Sequence, residues 1–400
     1  MHSALLQALT SAYLFSSLQA YMIELIIYRS LVMNKLFILF AALACLTSTN
    51  TAFSKTADLP FNVSPIAEFD EPWAMTFLPD GQLLVSEKAG RLLLVSQVGE
   101  ISEPVTGLPK VAYGGQGGLG DIILHPAYSS NSMIYISYAE SDDAGNYGAA
   151  VARAKISFDG QQGSLKNLEV IWRQSPKVSG KGHYGHRLAF DADGYLFISS
   201  GERQKFDPAQ DMTGNLGKII RLHDDGSVPD DNPFAKQGGV TAEIWSSGHR
   251  NPLGLAFDDK GRLWNTEMGP LHGDELNLVK RAKNYGYPTV SNGDHYSGKK
   301  IPDHDTRPEF EAPKVWWKPT IAPAELIYYS GTMFNEWRGS FLIAGLKPKA
   351  IIRVAVDGDK AKEIERFDMG ARIREIEQGP DGALWVLEDG TGARLLKLTK

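Results

Sequence analysis

Apolar residues recur along the chain in paired runs of strand length, and a short turn joins the two runs of each pair. Three of these turns are Asp-Gly, at 80–81, 193–194 and 381–382. Asp-Gly between apolar runs indicates a β-hairpin, because both residues tolerate a positive φ. The paired runs occupy residues 73–85, 121–138, 188–199, 253–264, 326–344 and 376–387. The pattern therefore predicts a chain built from antiparallel strand pairs.

The spacing of the six pairs predicts the architecture. They occur once per about 57 residues, which suits blades of four strands joined by long loops. We therefore predict an all-β fold, a six-bladed β-propeller with four-stranded blades. The alternative to a propeller is a pair of β-sandwiches. Within either fold, residues 274–283 are compatible with a short helix. In a propeller the loops of one face converge on the central channel, so polar residues beside the inner strands are candidates for a site.

The composition agrees with this fold and narrows the function. The 400 residues include 40 glycines and 21 prolines, which suit a fold with many turns. A net charge of −6 argues against nucleic-acid binding, which needs clustered cations. Cys45 is the only cysteine, so neither an intrachain disulfide nor a cysteine-rich metal site can form.

The amino-terminal 54 residues have the pattern of a leader. Residues 33–54 combine a short basic start, a mostly apolar run and small polar residues, as a secretory signal does. The apolar run of about 11 residues is too short for a membrane span, which needs about 20. We predict a leader at 1–54 with its signal peptide at 33–54, Met33 as the true start, and one catalytic domain at 55–400. A membrane anchor and lipidation at Cys45 are the alternatives.

Four side chains near strand ends suggest acid–base and electrostatic chemistry. His183 precedes one strand and Glu202 follows the next, so the two can meet. A carboxylate would fix the tautomer of the imidazole and raise its basicity. Arg250 and Asn251 offer a cation and an amide to one anion or carbonyl group. Taken alone, a histidine in the position of His183 is more often structural.

Two further patterns suggest a calcium site and an anion-binding site. The carbonyl groups of a Gly-Pro turn at 269–270 and the carboxylate of Glu275 are hard oxygen donors suited to calcium, although a solvated surface also explains the acidic side chain. Four cations flank the fifth and sixth strand pairs. They would bind a polycarboxylate if they face the channel, whereas cations that face solvent indicate no binding site. The four are Lys347, Lys349, Arg372 and Arg374.

Several stretches, in one order, resemble the soluble PQQ-dependent aldose sugar dehydrogenases, the family that includes soluble glucose dehydrogenase. The resemblance covers residues 58–400. It is carried by the motifs at 216–221, 226–233, 243–257, 267–270, 274–278 and 284–288. It implies oxidation of aldose sugars at C1 to lactones by hydride transfer to bound pyrroloquinoline quinone (PQQ). An external acceptor would then take the electrons.

The resemblance also implies roles for single residues. His183 would be the base that takes the proton of the anomeric hydroxyl, with Glu202 supporting it, and Arg250 would stabilise the oxygen anion that forms. The implied PQQ contacts are Gln116, Arg250, Asn251, Tyr296, Lys347, Lys349, Arg372 and Arg374. The implied calcium ligands are the carbonyls of Gly269 and Pro270 beside PQQ and, at a structural site, Glu275 with carbonyls near Tyr285 and Ser291.

Two other functions compete with this one. A metal-dependent propeller lactonase would use calcium and His183 but would not need the four cations. A sugar- or protein-binding propeller would not need His183, Arg250 or Asn251.

We expect an aldose sugar and an external electron acceptor, a quinone or cytochrome, as partners, with no nucleic acid and no stable membrane span. We expect a monomer or homodimer that is periplasmic or secreted, or else lipid-anchored through Cys45.

Overall fold

Each predicted strand pair forms the first two strands of a blade. The computed structural model describes residues 59–400, and the strands of this range form six antiparallel sheets. The predicted six-bladed β-propeller is thereby confirmed. The predicted leader at 1–54, with its signal peptide and Cys45, lies outside the described residues.

The strands follow one another blade by blade, except that the first strand, β1 (Asn62–Asp70), belongs to the last blade. Blade 1 contains β2 (Pro72–Phe77), β3 (Leu83–Glu87) and β4 (Arg91–Val95). Blade 2 contains β5 (Leu119–Leu124), β6 (Met133–Ser141), β7 (Tyr147–Asp159) and β8 (Gln162–Arg173). Blade 3 contains β9 (Gly185–Phe190), β10 (Leu196–Ser200), β11 (Lys218–Leu222) and β12 (Ile244–Ser247).

The second half of the chain continues the pattern. Blade 4 contains β13 (Pro252–Phe257), β14 (Leu263–Glu267), β15 (Asp274–Leu278) and β16 (Val315–Trp317). Blade 5 contains β17 (Pro323–Tyr328), β18 (Ser340–Gly345), β19 (Ala350–Asp357) and β20 (Lys360–Asp368). Blade 6 contains β21 (Ile373–Gln378), β22 (Leu384–Glu388) and β23 (Thr391–Thr399) together with β1.

The two ends of the described chain close the ring. Strand β1 pairs with β23, from Asn62 opposite Thr399 to Asp70 opposite Thr391. Because the last blade takes a strand from each end, the ring leaves no gap between blades 6 and 1. Blade 1 departs from the four-stranded prediction, since its outer edge is completed only by an isolated bridge from Val95 to Ile101.

The alternative of a short helix at 274–283 is wrong. Residues Asp274–Leu278 form strand β15, which is buried along its whole length and pairs with β14 and β16. Strand pairing on both sides overrides the local preference of this short segment. The described residues contain one short α-helix, α1 (Tyr128–Asn131), and five 3-10 helices of three to five residues. In this range no helix has the length and apolar character that crossing a bilayer requires.

Apolar layers fill the spaces between neighbouring blades. Ile136 of blade 2 packs in one cluster with Leu84 of blade 1, and Trp385 of blade 6 packs with Val85 of blade 1. Similar clusters lie between the other neighbouring blades. Both faces of each sheet are therefore buried, which explains why the inner strands read as nearly continuous apolar runs.

A β-bulge interrupts the pairing between the first and second strands of every blade, near the start of the first strand. A bulge bends its strand and changes the direction of a side chain. Polar side chains of four first strands meet on the axis here. Arg187 of β9 forms ion pairs with Asp121 (3.1 Å), Glu325 (2.5 Å) and Glu375 (2.6 Å).

Candidate active site

A cavity of about 270 Å³ opens at the face where the first strands begin and the second strands end. Small-molecule sites are typically clefts of about 300–1,000 Å³, so this one suits a small ligand. All six blades contribute to its wall. The lining residues are Trp73, Lys88, Gly115, Gln116, Tyr184, Gly185, His186, Asn251, Leu253, Met268, Ala322, Leu346, Arg372 and Arg374.

His183 and Glu202 form a buried pair at the edge of this cavity. His183 lies just before β9 and Glu202 just after β10, and the imidazole Nδ1 is hydrogen-bonded to the Glu202 Oε1. The other carboxylate oxygen of Glu202 accepts the backbone N–H groups of Lys205 and Phe206. Glu202 is fully buried and His183 is 6% exposed. Since Nδ1 is engaged, the imidazole Nε2 is the nitrogen left for a substrate.

Burial and hydrogen bonding determine the protonation state of this pair. Burial lowers the pKa of His183, and the contact with Glu202 offsets this only in part, so the pKa lies below its usual 6.5. Burial alone would raise the pKa of Glu202, but the contact with His183, the N–H of Phe206 and the charge of Arg250 together outweigh it, and the pKa is lowered. Near neutral pH the pair is therefore a neutral imidazole beside an ionised carboxylate, the state that a general base requires.

Gln116 lies in a glycine-rich turn, residues 114–118, and contacts the segment that carries His183. Its side-chain Oε1 accepts the backbone N–H of His183 at 2.7 Å, and its own N–H donates to the carbonyl of Lys181. A Cβ at Gly115 would lie 2.6 Å from that same carbonyl oxygen, and Gly115 has a φ of +59°. The turn therefore needs glycine at this position in order to approach the chain around His183.

Arg250 and Asn251 present unpaired donors beside the pair. The guanidinium of Arg250 donates through Nη1 to the carbonyls of Met268 (2.8 Å) and Gly269 (2.5 Å), while its Nε is buried without a partner. Asn251 accepts the N–H of Gly185 through Oδ1, and its Nδ2 is also buried without a partner. Buried donors without partners are costly, so these two atoms indicate a ligand with acceptor oxygens.

Three cations line the cavity, two of which the sequence predicted. Arg372 and Arg374 both donate to Asp389, at 2.7 and 2.8 Å. Burial alone would raise the pKa of Asp389, but the two guanidinium groups outweigh it and lower the pKa. Lys88, which was not predicted, forms an ion pair with Glu71 at 3.0 Å. The cavity wall therefore carries three positive side chains, and the carboxylates of Asp389 and Glu71 hold them in place.

Four predicted contacts, Arg250, Lys347, Lys349 and Tyr296, are not among the residues that line the cavity. Lys347 and Lys349 are exposed in the turn after β18, where only Leu346 reaches the cavity wall. Tyr296 is 73% exposed, and its ring centroid lies 6.0 Å from the guanidinium carbon of Arg250. It thus lies beside the site rather than in its wall.

The predicted calcium donors at Gly269 and Pro270 lie beside a guanidinium group. The carbonyl oxygen of Gly269 accepts a hydrogen bond from Arg250, so a cation bound there would lie next to a positive charge. The preceding Met268 adds a thioether, which is a soft donor that calcium does not favour. Among residues 59–400, no cluster of three or more His, Cys, Asp or Glu side chains is arranged to hold a metal.

The second predicted calcium position contains one buried carboxylate. Glu275 lies 3.5 Å from the Nε2 of buried His304 and accepts a hydrogen bond from Asn277. The side chains of Tyr285 and Ser291 are used within the fold, since Tyr285 donates to the carbonyl of Leu278 and the Ser291 hydroxyl accepts the N–H of Gly293. Only their backbone carbonyls remain as ligands.

Comparison of the sequence with known proteins shows which family the chain belongs to. A family model described as Glucose / Sorbosone dehydrogenase matches residues 69–397. The chain belongs to this family. Over 364 residues it is 40% identical to aldose sugar dehydrogenase YliI of Escherichia coli, covering 89% of this chain and 96% of that protein. The resemblance drawn from the motifs is therefore confirmed, and the family is one of oxidoreductases that act on sugars.

Solved structures of sugar dehydrogenases share the fold. The apo form of the soluble aldose sugar dehydrogenase of E. coli matches with a TM-score of 0.80 and 40% identity, covering 85% of this chain and 99% of that one. The PQQ-bound aldose sugar dehydrogenase of Streptomyces coelicolor matches with a TM-score of 0.70 and 28% identity, over 85% and 98% of the two chains. A relative with the same architecture thus binds PQQ.

Sequence reasoning missed most of the residues that line the cavity of this family member, among them Trp73, His186 and Lys88. Trp73 and His186 lie in apolar first strands and carried no separate motif. Lys88 follows β3 as an isolated cation. Their positions after or within the strands that point at the axis were the available signal, because polar and aromatic residues there face the channel.

A larger cavity of about 440 Å³ is lined by the strand turns that include Asp193, Gly261 and Asp359. Its cations are paired: Arg221 binds Asp231, and Arg262 binds Asp359. The smaller cavity is the better candidate, because it combines unpaired buried donors with the His183–Glu202 pair.

Proposed function

We propose that this protein oxidises aldose sugars at C1 to lactones with PQQ as its cofactor. The observation that carries the proposal is the buried pair of His183 and Glu202, which the Glu202 N–H joins to the carbonyl of Arg250, together with the unpaired donors of Arg250 and Asn251. A base next to fixed donors can remove a proton on one side and stabilise negative charge on the other.

The residues present fit PQQ. The cofactor is flat and carries three carboxylates, and Lys88, Arg372 and Arg374 supply charge-assisted hydrogen-bond donors on the cavity wall. Arg250 Nε and Asn251 Nδ2 remain for its carbonyl oxygens. When bound, PQQ supplies the quinone that accepts the hydride from C1 of the sugar. We further propose an external acceptor, a quinone or a cytochrome, as the destination of the electrons.

His183 acts as the general base in this proposal. Its Nε2 accepts the proton of the anomeric hydroxyl while Nδ1 stays bonded to Glu202. The carboxylate of Glu202 holds the ring orientation and stabilises the imidazolium that forms. The backbone N–H groups of Lys205 and Phe206 hold that carboxylate in place, so the pair is pre-organised before a sugar arrives.

Arg250 stabilises negative charge in the same step. Two backbone carbonyls hold its Nη1, which prevents the guanidinium from turning away. Its backbone N–H is bonded to the buried Glu267. A fixed positive group of this kind stabilises an oxygen anion without reorganising during the reaction.

For calcium, we propose only the position at Glu275, where a buried carboxylate and carbonyl oxygens are compatible with a hard cation. No catalytic step is assigned to it. The test is the melting temperature in EDTA and after calcium addition: a calcium-dependent rise that Glu275→Gln abolishes supports the site. An equal rise in both proteins excludes it.

We propose a periplasmic or secreted location, since residues 33–54 have the pattern of a secretory signal, and a monomer or homodimer. Cleavage of the leader is tested by the mass of the protein recovered from the periplasm. A mass that retains residues 1–54 would contradict it, and a diacylglycerol adduct on Cys45 would favour the lipid anchor.

The central experiment adds PQQ, with and without calcium, to purified apo-protein and assays glucose with an artificial electron acceptor. We expect turnover together with a rise in melting temperature, because a ligand specific for the folded state stabilises it by mass action. Lactone hydrolysis without PQQ would favour the lactonase. Sugar binding with no turnover at saturating PQQ would favour a binding propeller.

A further inference from the structure

We infer that Arg203 is a positioning residue that holds the base His183 in place beside Glu202. This inference rests on the proposed function, because it gives Arg203 a part in the acid–base step. Arg203 directly follows Glu202 in the chain and is 1% exposed. Since protein encloses its side chain, Arg203 affects a sugar only through the groups that it contacts.

Arg203 binds the backbone that leads to His183. Its Nε donates to the carbonyl of Gly182 at 2.8 Å, and its Nη2 donates to the carbonyl of Gly180 at 2.6 Å. Its backbone N–H donates to the carbonyl of His183 at 3.2 Å. The carbonyl of Lys181 accepts a backbone N–H from the glycine-rich turn. Arg203 therefore supplies the donors for three of the four consecutive carbonyl groups that end at His183.

The guanidinium of Arg203 has two further contacts. Its carbon lies 3.7 Å from the ring centroid of Tyr184, the residue that follows His183. Its Nη1 donates at 2.5 Å to the carbonyl of Tyr147, where β7 of blade 2 begins. His183 thus lies between two residues that Arg203 contacts, Gly182 and Tyr184. The bond to Tyr147 fixes this arrangement relative to the neighbouring blade.

The segments that carry His183 and Arg203 approach each other so closely that both contain glycine at the contact. A Cβ at Gly201 would lie 2.2 Å from the carbonyl oxygen of His183, and a Cβ at Gly182 would lie 2.5 Å from the side chain of Gln204. His183 and Arg203 themselves have positive φ angles, +48° and +62°. Residues with side chains stay in this region only where the surrounding structure holds them. The hydrogen bonds of Arg203 supply that support.

The charge of Arg203 also indicates a specific role. An arginine side chain stays protonated in proteins, and burying a charge is costly unless it is paired. No carboxylate of residues 59–400 forms an ion pair with this guanidinium, which carbonyl groups and the Tyr184 ring surround instead. An apolar side chain would fill the space without that cost. A planar fork of donors, by contrast, matches three carbonyl groups arranged around it.

The test compares Arg203→Met with Arg221→Met, a matched control in the same blade. Arg221 is also buried, and its guanidinium carbon likewise lies 3.7 Å from a tyrosine ring centroid, that of Tyr195. It lines the larger cavity, far from the base. Methionine keeps much of the length of each side chain and removes its charge and donors. We expect both variants to melt below the wild type, and only Arg203→Met to lose catalytic rate.

In the PQQ-loaded enzyme, Arg203→Met should lower kcat by up to about 10²-fold, the cost of a misplacement of about 1 Å. The KM for the sugar and the affinity for PQQ should change much less, because Arg203 touches neither. Arg203→Lys keeps the charge but should recover only part of the rate, since an ammonium group lacks the planar fork.

Two kinetic results would overturn the proposal. One is a kcat of Arg203→Met equal to that of Arg221→Met. The other is a wild-type kcat in Arg203→Lys, and this measurement remains decisive if Arg203→Met fails to fold.

The hydrogen bond between His183 and Glu202 provides a readout that needs neither PQQ nor a sugar. A histidine Nδ1 proton bonded to a buried carboxylate gives a proton NMR signal downfield of the backbone amides. Its loss in His183→Ala assigns the signal, and the buried pair of His249 and Glu267 gives an internal reference. In the apo-protein, Arg203→Met should weaken or broaden the His183 signal and leave the reference unchanged. An unchanged His183 signal would contradict the positioning role.

The two hypotheses fail differently. If the wild-type protein binds PQQ but oxidises no sugar, or binds no PQQ, the proposed function is wrong, while the NMR signal still shows whether Arg203 holds the pair. If the wild type is active and Arg203→Met keeps both its kcat and the His183 signal, only the role of Arg203 is wrong.

Discussion

The Nδ1 of His183 is hydrogen-bonded to the Oε1 of Glu202, and both side chains are buried at the edge of the cavity. This contact leaves one imidazole nitrogen for a substrate and partly offsets the effect of burial on the pKa of the ring. The first two predictions depend on it.

Replacement of His183 by alanine should lower kcat by about 10²–10⁴-fold, the usual loss for a general base. The affinity for PQQ should change much less, because His183 does not line the cavity wall. Steady-state kinetics with an artificial acceptor and a PQQ titration measure the two quantities. A variant with near-normal turnover would exclude His183 as the base.

Replacement of Glu202 by glutamine should shift the pH dependence of kcat/KM. In the wild type, burial holds the His183 pKa below 6.5 and the carboxylate partly counteracts this. Removing the negative charge removes the counteracting effect, so the acid limb should move to lower pH. The rate on the plateau should fall, since the tautomer is no longer fixed. An acid limb that stays in place or moves to higher pH would contradict the pairing.

Replacement of Arg250 by alanine should leave an enzyme that is slow even when it is saturated with PQQ, by about 10²–10³-fold, as for loss of an oxyanion donor. An interaction that strengthens only in the transition state changes kcat, whereas one that is equal in both states changes binding. The measurement is turnover at saturating sugar during a PQQ titration. Full recovery at high PQQ would make Arg250 only an anchor.

Replacement of Arg374 by alanine should raise the PQQ concentration needed for activity, with most of the rate recovered at saturation. Arg374 lines the cavity and is braced by Asp389. Lys349→Ala is the matched control, because Lys349 is exposed outside the cavity wall and should change PQQ binding less. If Lys349→Ala weakened binding as much as Arg374→Ala, the turn after β18 would have to close over the cofactor.

Replacement of Glu377 by glutamine should stabilise the protein at alkaline pH. Burial, with the charges of Glu325 and Asp121, raises the Glu377 pKa from its ordinary 4.5 to about 8. Between these values the folded state binds more protons than the unfolded state, so stability falls as pH rises towards 8. The glutamine variant lacks this loss. Its melting temperature should exceed the wild type more at pH 9 than at pH 5, and a constant difference would contradict the shift.

The fold could be predicted because its determinants are local. Each blade repeats an apolar run, a turn and a second apolar run, and Asp-Gly turns such as 193–194 make the hairpin explicit. The pair of His183 and Glu202 was also predictable, because the two residues flank consecutive strands. The segment at 274–283 was not, since its strand depends on pairing with β14 and β16 rather than on its own residues.

The composition of the cavity wall was decided by the tertiary structure. Trp73, Lys88 and His186 come from the first and third blades, and nothing in the local sequence of each shows that they meet. Lys349 and Arg374 look alike as cations beside strands, yet only Arg374 reaches the wall. The physical reason is that six strands converge on one axis, and the bulge at the start of each determines which side chains enter the channel.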